Sequence, residues 1–237
     1  MSEIRSLPDN FEPLDPEKHQ ALRFSELSHF NFAKSLSSVP ISLTELQLAA
    51  TFYPIVLPGD GSPVPNVLLS IENGTHPYID DMGKWKVPYI PLCLRLYPFL
   101  LAKTENKENG QSQYVLCLDQ EADHFFGETG EPLFTESGEI RGFVTHTFDT
   151  LKLYQQELSA VQSLFSKLNE NGVIADRTFE FQSAGQNNRL DGFRGVDMEK
   201  LISLDDASLA ELVKDGTMSL VYCHLQSIRH LPFLYRK

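Results

Sequence analysis

Cysteine is scarce: only Cys93, Cys117 and Cys223 occur in 237 residues, an odd number, widely spaced and flanked by apolar residues. Such cysteines suit buried, reduced thiols and argue against a disulfide framework or a zinc site of the CxxC type. Basic charge is also short, with 20 Lys and Arg against 32 Asp and Glu, a net charge of −12 and a pI near 5.0. The chain therefore lacks the clustered cations that nucleic acid or an anionic membrane surface requires. Long apolar runs are missing too. The longest mainly apolar run, Val87 to Ala102, spans 16 residues, carries Arg95 and is broken by Pro88, Pro91 and Pro98, which excludes a spanning helix. The first thirty residues are rich in charge and contain no apolar h-region, so no Sec signal peptide is expected and the chain is expected in the cytoplasm. No GxSxG elbow, no GxGxxG or Walker-type phosphate loop and no HExxH pair is present, and no cofactor is expected.

What is present is enough apolar residue, 41% of the chain, to build a substantial core. Residues 1–38 mix proline, charge and phenylalanine without a sustained period and read as an extended arm, with Phe24, Phe30 and Phe32 as anchors. Residues 39–237 read as one domain. Ser42 followed by Glu45 fits a capping box, so a helix is expected over about 43–51, then a strand at Ile55–Leu57 and a partner strand at Val67–Ile71. Asn109-Gly110 lies between two apolar runs and predicts a hairpin whose returning strand is Tyr114–Leu118. Leu151, Tyr154, Leu158, Val161, Phe165 and Leu168 recur at steps of three and four, predicting a long amphipathic helix over 148–169 that ends at Asn171-Gly172. Phe179 and Phe181 alternate with Glu180 and Gln182, and Leu190–Val196 returns as the second arm of another hairpin. Asp205 or Asp206 caps a short helix through Val213, Met218–Leu225 reads as a buried strand, and Ser227–Tyr235 as helical. The fold expected is α+β: a mostly antiparallel sheet, one long helix packed on it and short helices near the ends.

The stretch from Thr75 to Lys103 is the most unusual in composition, with the single tryptophan, Trp85, and Tyr78, Tyr89 and Tyr97 around one apolar run. Asp80, Asp81 and Gly83 supply a turn, and the prolines leave Tyr89–Ile90 and Leu92–Tyr97 as short strand pieces. The order of these residues, an acidic turn with Gly83 and Trp85, then Tyr89-Ile90-Pro91, then Leu94-Arg95 and Tyr97-Pro98-Phe99, resembles the bacterial SapC family. The resemblance continues through Phe32-Ala33-Lys34, Val39-Pro40, Glu45 and Phe52 to Val56 upstream. Downstream it includes Leu116 to Asp119, Gly130 to Phe134, Gly192-Phe193, Val196-Asp197 and the closing His224-Leu225-x-Ser227, so that it covers roughly residues 19 to 231. It departs at Leu96, where a second arginine beside Arg95 is expected. The family is named for an association with surface-layer protein transport, and resemblance to it implies an accessory or binding protein with a peptide or protein partner.

Three constellations carry candidate chemistry. Trp85, Tyr89, Tyr97 and Arg95, with Phe99, have the composition of an aromatic pocket in which a guanidinium meets a carboxylate, and equally of an aromatic core whose arginine pairs internally with Asp80, Asp81 or Asp119. Asp119, Glu121, Asp123, His124 and Glu128 form an acidic loop after a strand, a candidate for a hard or borderline metal and equally a solvated loop, and no metal site is expected. Cys223 and His224 are adjacent, but on a strand they face opposite ways and do not share a proton. If the protein is an enzyme, alone or beside a modifying enzyme, His224, His124 and Asp119 are the candidate catalytic residues. The residues leave the oligomeric state open.

Overall fold

Proline and short alternating runs cut the first half of the chain into small elements. A computed structural model describes residues 10–71, 76–105, 112–127, 129–183 and 186–235. The stretch expected as an arm supplies Phe11–Pro13 (β1), Pro16–His19 (α1), Arg23–Phe24 (β2) and the start of Ser38–Pro40 (β3). Then come Leu46–Ala49 (α2), Ile55–Pro58 (β4), Asn66–Leu68 (β5), Leu92–Leu96 (α3), Phe99–Glu105 (β6), Ser112–Asp119 (β7) and Glu131–Pro132 (β8). The second half holds longer elements: Gly142–Glu170 (α4), Ile174–Ser183 (β9), Gln186–Val196 (β10), Met198–Ile202 (α5), Asp206–Lys214 (α6) and Thr217–Ser227 (α7). A 3-10 segment, Ile228–Tyr235, closes the described chain.

The strands form antiparallel sheets in the orders β1-β7-β6, β3-β5-β4-β10-β9 and β2-β8. Two cores result. The larger lies among β3, β4, β5, β10, α2 and α7, and the smaller holds Tyr97, Phe99, Leu116, Leu118, Phe125, Leu133 and Phe134. Helix α4 joins them. Its first turns bury Val144 and Leu151 in the smaller core and its later turns bury Tyr154, Val161, Phe165 and Leu168 in the larger one. At about 1.5 Å per residue, a helix of 29 residues reaches about 43 Å, which is long enough for that span. Helix α3 makes the same crossing, with Cys93 and Leu94 in the larger core and Leu96 and Tyr97 against the smaller. The phenylalanines of the first forty residues fasten it down: Phe32 stacks on Tyr97 at 4.1 Å, Phe24 lies 5.6 Å from Phe99 and Phe30 meets Trp85 edge-on at 5.5 Å.

The architecture is the α+β fold expected from the sequence, and most elements fall where the patterns place them. Tyr89–Ile90, expected as a short strand piece, belongs to no strand, and two other strands expected from apolar runs are helices instead. Leu92–Tyr97 contains α3, because a continuous apolar run does not separate strand from helix, and Leu and Arg favour helix once Pro91 has set the entry. Met218–Leu225 lies in α7. Its buried positions, Thr217, Val221, His224 and Ser227, follow the helical spacing, but three are polar, so the apolar pattern hid the period. The capping box at Ser42 is half formed: the Glu45 carboxylate accepts the Ser42 amide at 3.1 Å, while the Ser42 hydroxyl has no partner among the described residues. The Asn109-Gly110 and Gly185 turns lie outside the described residues.

The burial pattern of α4 predicts that Phe165→Ala costs about 3–5 kcal/mol in urea denaturation, whereas Leu153→Ala, at a position 61% exposed, stays within about 0.5 kcal/mol.

Candidate functional site

The aromatic segment is packed through hydrogen bonds rather than opened as a pocket. Trp85 donates its Nε1–H to the Tyr53 hydroxyl at 2.7 Å, and that hydroxyl donates to the Tyr89 carbonyl. The Tyr89 hydroxyl donates to Glu45, whose carboxylate also takes the Leu92 amide at 2.6 Å and the Ser42 amide at 3.1 Å. Glu45 is buried and has no cationic partner among the described residues, so these donors alone hold its charge. Burial raises the Tyr53 and Tyr89 hydroxyls above their usual range, which keeps both as neutral donors. Arg95 stands outside this network. It is exposed on α3, donates Nε–H to the Ile90 carbonyl at 3.1 Å and lies 5.9 Å over the Tyr89 ring, with no carboxylate paired to it among the described residues.

Tyr97 belongs elsewhere, with two of the candidate catalytic residues. Its hydroxyl donates to Asp119 at 2.7 Å, and the other oxygen of Asp119 caps the following turn by accepting the Glu121 amide at 3.1 Å. His124 lies in that turn, buried among Phe24 at 5.7 Å, Phe32 at 5.9 Å and Tyr97 at 5.4 Å. Its Nδ1 has no hydrogen-bond partner among the described residues, and burial lowers its pKa from 6.5 to about 4. This is a neutral ring in an aromatic core. Among the described residues no group of three or more His, Cys, Asp or Glu could hold a metal ion, and Glu128 lies outside them.

His224 sits in the larger core, away from the other two. Its Nδ1 meets the Ile55 carbonyl at 2.8 Å and its Nε2 meets the Val196 amide at 3.1 Å. A carbonyl only accepts and an amide only donates, so the ring is the neutral tautomer with its proton on Nδ1. One turn later, Ser227 Oγ accepts the Ile55 amide at 2.9 Å and donates to the His224 carbonyl at 2.6 Å. Both backbone groups of Ile55 are thus held by α7, and β10 is tied to the same imidazole. Gly195 makes room for the ring: a Cβ there would lie 2.8 Å from His224 Nε2. Burial lowers the His224 pKa to about 4, assisted by the nearby Arg177 charge. Cys223 is half-buried with its thiol pKa raised by burial, and on a helix its side chain points about 100° away from that of His224.

The clamp forms one wall of an open cleft of ≈ 310 Å³ between β9, β10 and the α7 end of the chain. Phe179, Phe193, Met198, Leu225, Ile228 and Leu231 give it an apolar lining, and Arg177 and Thr178 bring polar groups to it. Arg177 donates Nη2–H to the Val196 carbonyl at 2.6 Å and stands 3.8 Å from Asp197, with a side chain 39% exposed. The cleft was not legible as a site in the sequence, although the alternation through Phe179 and Phe181 continues back to Arg177.

The SapC family profile matches residues 14–234, nearly the whole chain. The chain belongs to the SapC family. No curated protein and no solved structure matches it. In this SapC protein the stretch around Trp85 forms the crossing between two cores, and the closing His224-Leu225-x-Ser227 block forms the clamp on Ile55 and part of the cleft wall.

Replacing Glu45 with Ala leaves the Tyr89 hydroxyl and two amides without their acceptor. It is expected to cost more than about 3 kcal/mol, against less than about 1 kcal/mol for Arg95→Ala, both read by urea denaturation. Burial also lowers the pKa of His76, which lies 5.6 Å from the Trp85 ring, to about 4. Stability is expected to be full above pH 6.5 and to fall as the pH drops toward about 4, because in that window the unfolded chain protonates His76, His124 and His224 while the folded chain resists. His124→Phe should keep the fold and flatten that decline by about one proton, as measured by denaturation at stepped pH.

Proposed function

We propose that this SapC protein is a non-enzymatic binding protein that holds an extended segment of a peptide or protein partner along β9, over the cleft. The observation that carries this reading is the position of β9. It is ten residues long, pairs only with β10 and ends the five-stranded order, so its outer edge has no strand partner among the described residues. An open edge offers a row of backbone donors and acceptors, and an apolar cleft beside it can take side chains of an added strand, the means by which edge-binding domains recognise extended peptides. The cleft volume lies near the lower end of the usual range for ligand sites, about 300–1,000 Å³. It suits one or two side chains rather than a folded surface.

On this reading the ligand lies away from Trp85, Tyr89, Arg95 and Tyr97, all of which have hydrogen-bonding groups engaged within the fold. It also weighs against the enzyme reading through His224, His124 and Asp119. Both nitrogens of His224 hold backbone groups, Asp119 takes Tyr97 and its own turn, and His124 is enclosed by aromatic rings. An accessory protein that keeps a cargo segment extended fits the association of the SapC family with surface-layer protein transport. A cytoplasmic location fits the same role, and among the described residues no helix is long and apolar enough to cross a membrane.

Hydrogen exchange read by mass spectrometry tests the site. A pool of random decapeptides is expected to slow exchange in the β9 peptides covering 176–182 and in 225–231. Protection confined to the segment around Trp85 would refute the β9 site, and no protection anywhere would refute peptide binding.

A further inference from the structure

Among the described residues the cleft carries one cation, Arg177, and its state distinguishes one kind of peptide from another. We infer that the occupant of β9 is the C-terminal tail of a protein partner, its last apolar side chain in the cleft and its terminal carboxylate on Arg177. This rests on the peptide-binding reading above and adds what the peptide must end in.

Arg177 lies on the edge strand itself, so a group bound to it is also in register with an edge that has no strand partner among the described residues. Its Nη2 is fixed on the Val196 carbonyl at 2.6 Å and forms a loose ion pair with Asp197 at 3.8 Å, a separation too long for a hydrogen bond. Among the described residues nothing accepts from its Nε or Nη1. The guanidinium is therefore oriented by one bond and keeps donors free for a planar, two-oxygen acceptor, the geometry in which arginine holds a carboxylate. The rest of the lining supports a terminus over an internal acidic residue. Phe193, Val196, Ile228 and Leu231 surround the floor of the cleft and are apolar, so the group entering beside the carboxylate must be apolar too. A C-terminal residue with an aliphatic or aromatic side chain provides both within a single residue. The net charge of −12 makes the chain a poor general binder of anions, so a carboxylate is retained only where a specific cation and strand pairing act together.

The test uses the whole protein, immobilised, and mixed random decapeptides ending in Leu, Ile, Val or Phe, made both as free acids and as C-terminal amides and counted by mass spectrometry after washing. Free acids are expected to be retained about tenfold over amides, the effect of one charge-assisted hydrogen-bonded pair. Arg177→Gln should bring that ratio to one while still retaining peptides, and Arg177→Lys should restore part of it; thermal melts report whether either variant is folded. Equal retention of acids and amides by the unaltered protein overturns the terminal-carboxylate assignment and leaves the strand-addition reading standing. Retention no greater than on an unrelated control protein overturns both.

Discussion

The grip of α7 on Ile55 is the interaction on which the rest of the structure depends. His224 and Ser227, three residues apart, reach the carbonyl and the amide of one residue in β4, and the other side of the same imidazole accepts from Val196 in β10. Without it, nothing else in the described hydrogen-bond set links α7 to both strands at once. The arrangement needs a neutral ring, a hydroxyl one turn later and a glycine at 195, since any side chain there would meet the imidazole. An unpaired buried backbone group costs on the order of 1–3 kcal/mol. Three such groups depend on two side chains.

From this clamp the larger core takes its shape. It fixes the closing helix against β4 and β10, and the apolar face of Leu225, Ile228 and Leu231 then becomes the far wall of the cleft under β9. Glu45 acts in a similar way at the other end, gathering Ser42, Tyr89 and Leu92 around one carboxylate and so setting where α3 begins. Helices α3 and α4 then carry the fold across to the smaller core, where Asp119 and His124 serve packing and turn closure.

How far the sequence revealed this varies with the kind of signal. The hairpin of β9 and β10 and the long helix α4 were legible because their periods recur over many residues, and the pair β6 and β7 because Asn109-Gly110 lies between two apolar runs. Helices α3 and α7 were not: LCLRL is apolar without contrast, and in α7 the buried face includes Thr217, His224 and Ser227, which a search for apolar residues passes over. The error had consequences for chemistry. Reading Met218–Leu225 as a strand gave His224 and Cys223 opposite faces, where the helix gives His224 a structural post. Arg95 looked central because of its neighbours in sequence, yet α3 turns it to solvent. Arg177 looked ordinary, because its neighbours in the cleft, Met198, Leu225 and Leu231, are distant in the chain and meet only once α7 is clamped in place.

The account turns on the closing histidine holding the fold and not serving as an acid or base. Nitrogen-15 NMR of the imidazole of His224, followed from neutral pH downward, measures this directly. The structure predicts a neutral ring protonated on Nδ1, with no ionisation until the pH approaches about 4. A ring protonated on Nε2, or one that titrates near the ordinary histidine value of 6.5, would contradict it.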